Sequence, residues 1–372
     1  MASDKFIPNN TEELLKVSNP HDQLIQCLTN IVRSSPPKDV WDNREIGGLA
    51  LGPTSIAYLF LSLSRLYPDL LIESKSLRDW TGAYLQGSRP KQAPVSDEDC
   101  GIINEELAFA AVSAAYSQDP AKVQQFLSYI PKVVTSSGFN EVCYGRSGVL
   151  YFLRMLRSWV PDSTPLIRPA VTQVIDCIIR NGSPWIYRGR EVYGLGHGDM
   201  GIVTQIILSD ASYAPKLEAH VSSLLALQME SGNWPKEKAK QDDLIQLCHG
   251  APGFVISLSA IRQYLPSLHD QIDRAVTKGR EITWAQGLLK KEPNLCHGIT
   301  GNAFVFPPGP QRDHFLAHAT EEMITKGVED GTWNTSANYG FPHSLMFGMG
   351  GRAWAWAVTD RAEGTYITYN DV

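Results

Sequence analysis

Two cysteine and histidine pairs are the residues whose types and spacing best indicate chemistry. Cys248 with His249, and Cys296 with His297, each stand directly before a Gly-x-x-Gly phrase. Two thiolates and an imidazole are a ligand set that zinc prefers, and three protein ligands leave a fourth position open for a substrate. Spacing alone leaves open which histidine binds, and Cys143 is a further thiol that could close the site. The alternative is that these cysteines are small buried hydrophobes in a helix-entry turn.

The glycine phrase recurs along the chain and indicates a repeat. A glycine, two residues and a small residue precede an apolar run at seven places, with steps of 44 to 53 residues. Segments after the phrase are apolar nearly all round, which is typical of buried helices, and the intervening segments are amphipathic. One such face is formed by Val171, Val174, Ile175 and Ile178. The first glycines of the copies are Gly52, Gly101, Gly145, Gly198, Gly250, Gly298 and Gly348.

Each repeat is predicted to contribute one outer amphipathic helix and one inner buried helix. Seven hairpins could stack as an open solenoid or close into a ring. The uniformly apolar inner helices favour the ring, so the prediction is an all-α fold, an α/α toroid of seven inner and seven outer helices. We expect one domain over residues 1–372, with a helical lead-in over residues 1–45. The inner helix N-termini would then meet at one end, where free N–H groups favour an anion or a thiolate.

Aligning the repeats places the residues beside each first glycine at one depth in the ring. His197 is predicted to donate or accept a proton there, because imidazole titrates near neutrality. Glu141, one helical turn before Gly145, could point to the same end of the ring, which we call the mouth, and assist His197 in proton transfer. Arg146 and Lys291 could supply positive charge to an anionic substrate. The alternative for His197 is a buried core residue whose polar atoms are hydrogen-bonded. The alternative for Glu141, Arg146 and Lys291 is a solvated surface position.

Two further residues of the set aligned beside the first glycines are predicted to contact the substrate. Tyr144 and His249 both directly precede a first glycine, in the third and fifth copies. Their side chains would line the mouth together with His197.

Composition excludes several function classes. The 372 residues are 43% apolar with a formal net charge of -6, so no basic stripe for nucleic acid is present. No secretory h-region or myristoylation start is visible, and the stretch from Gly47 to Ser64 predicts a buried helix rather than a transmembrane segment. Six sparse cysteines predict free thiols or metal ligands. The expectation is a cytoplasmic protein without a nucleic-acid partner.

The repeat phrases resemble those of the lanthionine synthetase C-like family, especially its eukaryotic branch. The matching segments are residues 140–148 (NEVCYGRSG), 196–201 (GHGDMG), 247–253 (LCHGAPG) and 295–303 (LCHGITGNA). The resemblance implies an α/α toroid with Zn²⁺ at one end, held by Cys248, Cys296 and His297. It also implies that His197 and Glu141 act beside the metal and that Lys291 serves glutathione chemistry.

The activity implied by the resemblance is zinc-dependent addition of a thiol, glutathione above all, to an α,β-unsaturated carbonyl. Dehydroalanine or dehydrobutyrine in a peptide or protein, or an unsaturated small molecule, would be the acceptor. The sequence departs from the family pattern in places. Leu244 stands where bacterial cyclases have an arginine, which weakens the peptide-cyclase interpretation, and Phe347 replaces a glutamate. Pro307 and Pro308 are predicted to break the sixth inner helix early.

Other function classes remain as alternatives. One is a non-catalytic regulatory protein that binds zinc and glutathione, and another is a tailoring enzyme that adds a thiol to a natural product or cyclises it. A toroidal glycosidase or terpene cyclase is disfavoured. A glycosidase needs two opposed carboxylates, whereas the third to sixth copies offer thiols and imidazoles, and no Asp-Asp-x-x-Asp cluster is present.

Overall fold

The computed structural model of the protein describes residues 5–9, 13–238, 244–333 and 340–372. The first four residues, which bear on the expected lack of a leader, lie outside these ranges. Within the described residues, no helix combines the length and the apolarity that crossing a bilayer requires.

Seven buried helices form an inner layer, as the glycine repeat predicts. Six of them begin at or one residue after the first glycine of their copy. The second begins four residues after Gly101, because the Asn104 side chain caps it by accepting from the N–H of Leu107 at 2.9 Å. The inner helices, with helices numbered in chain order, are α2 (Gly52–Leu66), α4 (Glu105–Ser117), α7 (Arg146–Trp159), α9 (Asp199–Ser209), α11 (Ala251–Ile261), α13 (Ile299–Ala303) and α16 (Met349–Asp360).

An outer helix packs on each inner helix, and the last inner helix packs against the first, so the layers form an all-α toroid. The partner of α16 comes from the other end of the chain, because α1 in the lead-in packs against it. The outer helices are α1 (Pro20–Ser34), α3 (Leu77–Gln86), α5 (Pro120–Leu127), α8 (Thr164–Arg180), α10 (Ala214–Leu225), α12 (His269–Gln286) and α14 (Pro310–Ala317).

Short elements connect the two layers. Two antiparallel hairpins pair β1 (Leu71–Ile72) with β2 (Lys75–Ser76), and β3 (Ile186–Tyr187) with β4 (Arg190–Glu191). The β3–β4 hairpin turns through Arg188 and Gly189, both at positive φ, 48° and 76°. Within the described ranges, the remaining helices are α6 (Ile130–Val133) and α15 (Glu321–Glu329), and the 3-10 turns are Pro161–Ser163, Ala211–Tyr213, Arg262–Tyr264 and Pro266–Leu268.

The repeat glycines meet two different steric needs. Gly250 has a φ of +106°, and a Cβ there would lie 2.0 Å from the carbonyl oxygen of Leu244. Gly301 sits inside α13, where a Cβ would lie 1.9 Å from the Leu295 carbonyl oxygen. Both positions therefore exclude a side chain, the first by backbone conformation and contact and the second by contact alone.

The sixth inner helix is short, as predicted from Pro307 and Pro308, and the C-terminal segment occupies the lumen beside it. Helix α13 ends at Ala303 after five residues. Residues 363–372, which we call the lumen segment, begin where Arg312 donates to the carbonyl of Glu363 at 2.6 Å. The ring of Tyr366 then packs edge-on against Phe304, with centroids 5.4 Å apart.

The far part of the lumen segment is tied to several inner helices. Asp371 is half-buried and accepts hydrogen bonds from Tyr58 at 2.8 Å and Tyr151 at 3.0 Å. Arg154 donates to the carbonyl oxygen of Tyr369 at 2.5 Å. Burial raises the pKa of the Asp371 carboxyl, and the two tyrosine hydroxyls offset part of that rise. The far part of the lumen segment is thus hydrogen-bonded to the inner helices α2 and α7.

Candidate functional site

A closed circuit of backbone hydrogen bonds defines the mouth of the toroid. The loop before each inner helix donates one backbone N–H to a carbonyl oxygen of a neighbouring repeat. The loops therefore lie side by side at the same level along the toroid axis. The donor and acceptor pairs are Met346 to Ala50, Cys296 to Met346, Cys248 to Cys296, Gly196 to Cys248, Val142 to Gly196, Ile102 to Val142 and Leu49 to Ile102. The circuit explains why two-residue motifs some fifty residues apart can meet in one site.

The sulfur side of the mouth brings Cys248 and Cys296 into contact. Their thiols share a hydrogen bond in which Cys296 donates, and this bond lowers the pKa of Cys248 to about 7 although burial opposes it. The Gln246 side-chain amide donates to the Cys248 sulfur at 3.1 Å, and Lys291 donates to the Gln246 carbonyl oxygen at 2.7 Å. Lys291 is therefore linked to the Cys248 sulfur through the Gln246 side chain and places a positive charge at the mouth.

His297 is buried next to this pair, but its ring faces Asn294. Its backbone N–H donates to Asn294 Oδ1 at 2.9 Å, and the Asn294 amide nitrogen lies 3.2 Å from Nε2 of the imidazole. In this conformation the structure assembles the two sulfurs of the expected trio and leaves the imidazole turned aside.

A second group of potential ligands lies on the other side of the mouth. Among the described residues, Glu141, Cys143 and His197 are the group of three whose ligand atoms all lie within 4.8 Å of one another. A Cβ built on Gly196 would lie 3.4 Å from Cys248 Cβ and 3.8 Å from Cys143 Sγ, so the two groups adjoin. Cys143, which the sequence offers as a possible fourth ligand, belongs to this second group and lies on the side that adjoins Cys248.

Glu141 fixes the orientation of His197. One carboxylate oxygen accepts from the backbone N–H of Cys143 at 2.7 Å and from His197 Nδ1 at 3.0 Å, and the other accepts from the N–H of Tyr144 at 2.7 Å. Glu141 is 1% exposed, whereas the His197 side chain is 25% exposed. A buried carboxylate therefore holds an imidazole that faces the open mouth, which suits proton transfer.

Aromatic rings cover this imidazole. Tyr187 stacks on His197 with centroids 4.6 Å apart and planes 9° apart, and Tyr144 lies parallel at 6.0 Å. Arg188 sits over both tyrosine rings, 5.2 and 5.3 Å from their centroids. Tyr187 and Arg188 belong to the β3–β4 hairpin and were missed from sequence, where Gly189 is the one local turn signal.

His249 also lies at the mouth, with its ring centroid 6.1 Å from that of His197. Burial lowers the pKa of His249 to about 3, so the imidazole is neutral. Its Nδ1 has no hydrogen-bond partner among the described residues. The ring is therefore not a source of positive charge at the mouth.

Arg146 requires a correction. It was expected to offer positive charge to a substrate, but its side chain is fully buried. The guanidinium donates to the carbonyl oxygens of Val133 at 2.6 Å and Phe139 at 3.3 Å and to Asn140 Oδ1 at 2.9 Å. These contacts hold the 133–140 loop against α7, so Arg146 supports the position of the neighbouring Glu141 and does not face the mouth.

A cavity of about 780 Å³ lies elsewhere, between α3, α4 and α5. Large concave pockets are the default binding-site candidates. Two of the charges at the wall of this cavity already neutralise each other, because Arg89 pairs with the buried Glu105 at 2.7 Å and stacks on Phe109 at 4.1 Å. Among the described residues, no thiol or imidazole lines this cavity, so the groups that could bind a metal or transfer a proton lie at the mouth.

Comparisons with known proteins agree with this architecture. The family model described as lanthionine synthetase C-like protein matches residues 49–307. Glutathione S-transferase LANCL1 of Danio rerio is 26% identical over 323 residues, which cover 78% of this chain and 74% of that protein. LanC-like protein GCL1 of Arabidopsis thaliana is 28% identical over 224 residues, 53% of this chain and 51% of that protein.

A solved structure shares the fold. Nisin cyclase superposes with a TM-score of 0.59 over 93% of this chain and 95% of its own, at 11% identity. At that identity the likeness concerns the toroid alone. Since the family model spans most of the toroid, the chain belongs to the lanthionine synthetase C-like family.

Proposed function

We propose that the protein adds a thiol, with glutathione as the first candidate, to the β-carbon of dehydroalanine or dehydrobutyrine in a peptide or protein. The product is a thioether. The observation that carries the proposal is the meeting of two sulfurs, Cys248 and Cys296, beside an imidazole that a buried carboxylate orients. The printed name of the Danio rerio relative, a glutathione S-transferase, supports thiol transfer.

We further propose that Cys248, Cys296 and His297 hold zinc. Thiolate and imidazole are ligands that zinc prefers, and two sulfurs in contact fit this donor set. The group of Glu141, Cys143 and His197 is the competing site, but the carboxylate oxygens of Glu141 already accept three hydrogen bonds. When bound, zinc would supply deprotonation of a substrate thiol at neutral pH.

His197 is proposed to move the proton. It takes the proton that the thiol loses and returns it to the α-carbon after the sulfur has bonded to the β-carbon, so that S–H adds across the double bond. Glu141 stabilises the imidazole while it carries that proton, because its oxygen lies 3.0 Å from Nδ1.

The remaining mouth residues are proposed to bind the two substrates. Lys291 would attract the carboxylates of glutathione on the sulfur side, through its position beside Gln246. Tyr144, Tyr187 and the neutral His249 would form a flat wall that suits the planar unsaturated amide.

A mass-spectrometric addition assay tests the proposal. Purified protein is incubated with glutathione and a dehydroalanine peptide, and thioether product is compared with the uncatalysed background. We expect Cys296→Ala to lose about a thousand-fold in rate, since several kcal/mol of charge stabilisation go with the metal. Cys177→Ala is the matched control, because that thiol donates to the Thr135 carbonyl at 3.0 Å and lies on an outer helix. Undiminished addition by Cys296→Ala would refute the proposal.

A further inference from the structure

Arg188 occupies a backbone position that does not favour arginine. It forms the tip of the β3–β4 hairpin together with Gly189, and both residues have positive φ, 48° and 76°. Two central residues at positive φ define a type I′ turn, in which Asn-Gly and Asp-Gly are the preferred pairs. This left-handed conformation strains a long side chain more than it strains asparagine. Because asparagine would suit the turn better, the presence of arginine points to a use of its side chain.

Two tyrosine rings place the guanidinium of Arg188 at the mouth. Its carbon lies 5.3 Å from the Tyr144 centroid and 5.2 Å from the Tyr187 centroid, and such ring faces attract a cation. The same two rings cover His197, with centroids 6.0 and 4.6 Å from that of the imidazole. The guanidinium carbon is therefore no more than about 10 Å from the imidazole, a span of about three residues of extended chain.

The charge at the hairpin tip is not neutralised within the described part of the chain. Arg188 is exposed and forms no ion pair with those residues. Arg190, on the same hairpin, pairs with Glu237 at 3.6 Å. Lys238, which lies beside the hairpin, pairs with Glu191 at 3.0 Å. The base of the hairpin is thus balanced in charge, whereas its tip presents a cation beside the site.

The position of this cation indicates which substrate it meets. Lys291 lies on the sulfur side of the mouth, where the thiol donor is proposed to bind. Arg188 lies on the aromatic side, which is proposed to hold the planar unsaturated amide. A guanidinium binds a carboxylate through two parallel hydrogen bonds. A carboxylate that the acceptor peptide carries close to its dehydroalanine would therefore meet Arg188.

We propose that Arg188 is a specificity-determining residue that binds an acidic side chain of the acceptor peptide, within about three residues of the dehydroalanine. The inference rests on the proposed function, because that function names the acceptor. The carboxylates of glutathione offer the same chemistry from the other substrate, and the experiments distinguish the two sources.

Peptide binding in the absence of a thiol tests the inference apart from turnover. A set of dehydroalanine peptides carries one Glu, moved through the three positions on either side, and each has a partner peptide with Gln in its place. Dissociation constants are measured by isothermal titration calorimetry. We expect wild type to bind at least one Glu peptide about five-fold more tightly than its Gln partner, the size of effect that one surface ion pair gives. The preference should fall as salt is added.

Three variants separate the side chain of Arg188 from the turn that carries it. Arg188→Asn should abolish the preference and leave the melting temperature equal or higher, because asparagine suits the turn. Arg188→Lys should retain part of the preference, since lysine keeps the charge but not the paired hydrogen bonds. Arg190→Gln is the matched control, because it removes a cation of the same hairpin that Glu237 already pairs, and it should leave the preference unchanged.

Steady-state kinetics distinguish the two sources of carboxylate. In the addition assay, Arg188→Asn should raise the KM for the preferred Glu peptide about five-fold, while kcat and the KM for glutathione stay unchanged. The reason is that the contact is made equally in the bound substrate and in the transition state. A rise confined to the KM for glutathione would show that the arginine serves the thiol donor and would overturn the inference.

The outcomes also separate the inference from the function on which it rests. If thioether forms but no Glu peptide is preferred, or if Arg188→Asn keeps the preference, the inference fails and the proposed function stands. An equal loss of preference in Arg190→Gln would show a general effect of charge and would overturn the inference as well. If the preference depends on Arg188 but no thioether forms, the function fails while the peptide contact stands. If wild type binds no peptide, both fail.

Discussion

The two ends of the central lumen differ in how their buried polar groups are used. At the far end, Asp371 accepts from Tyr58 and Tyr151, and Arg154 donates from its two terminal nitrogens to the lumen segment, while its Nε has no partner among the described residues. At the mouth, two thiols meet beside an imidazole that a buried carboxylate orients, and Nδ1 of the neighbouring His249 has no partner among the described residues.

This difference separates stability from function within one toroid. Hydrogen-bonded networks rigidify a core, whereas thiols, imidazoles and an oriented carboxylate supply metal ligands and acid–base groups. The far end is therefore interpreted as the clamp that closes the ring. The mouth is interpreted as a site whose remaining partners are a metal and its substrates.

Metal removal should separate the two ends most strongly. Chelation should lower thioether formation about a thousand-fold, because the thiolate is no longer generated at neutral pH. The metal-free protein should keep its helical circular dichroism and a cooperative melt, since the lumen segment and the packed helices hold the ring. A protein that unfolds on chelation and never turned over would instead support the non-catalytic, zinc-binding alternative.

Replacing His197 by Gln should impair only the mouth. We expect a loss of 10²- to 10⁴-fold in rate, the usual contribution of a positioned acid–base group, with metal content unchanged. Steady-state kinetics and metal analysis check both parts. His21→Gln, on the outer helix α1 with a side chain 46% exposed, is the control. Equal rates for the two variants would remove His197 from the mechanism.

Replacing Arg154 by Met should impair the far end instead. Arg154 donates to the carbonyl oxygens of Val372 and Tyr369 and to Gln205. Losing these charged hydrogen bonds should lower the free energy of unfolding by about 3 kcal/mol, measured by urea denaturation. Arg157→Met should cost about 1 kcal/mol or less, because that side chain makes one bond of 3.2 Å to Ser209. If Arg154→Met lost its metal but kept the wild-type free energy of unfolding, the assignment of stability to the far end and of function to the mouth would be wrong.

The smallest effect is expected from the hairpin over the mouth. Tyr187→Ala removes the ring stacked on His197 and should raise the KM for the unsaturated peptide by up to about ten-fold, the value of one aromatic pair. Ile186→Ala, on the same hairpin and 50% exposed, should leave it unchanged. An equal rise in both variants would point to hairpin stability rather than to stacking.

The parts of the fold encoded by local periodicity could be predicted. Glycines before apolar runs marked the inner helices, and Pro307 with Pro308 marked the early end of α13. The offset at Gly101 also had a local signal, because Asn104 before Glu105 is an N-cap pattern. These features depend on neighbours within a few residues, which a single sequence displays.

Features set by distant contacts could not be predicted. Helix α1 pairs with α16 from the opposite end of the chain. Nothing in the sequence around Arg146 shows that the 133–140 loop encloses its guanidinium. At the candidate site the pairing of Cys248 with Cys296 followed from repeat register, but the Asn294 contact that turns the His297 ring did not.

Zinc-edge X-ray absorption on the purified wild-type protein tests the central claim most directly. The account predicts about one zinc per chain with two Zn–S bonds near 2.3 Å and Zn–N or Zn–O bonds near 2.0–2.1 Å. Such a spectrum would match Cys248, Cys296 and His297 with one exchangeable position. Protein without zinc, or a spectrum with a single sulfur as expected for Glu141, Cys143 and His197, would contradict it.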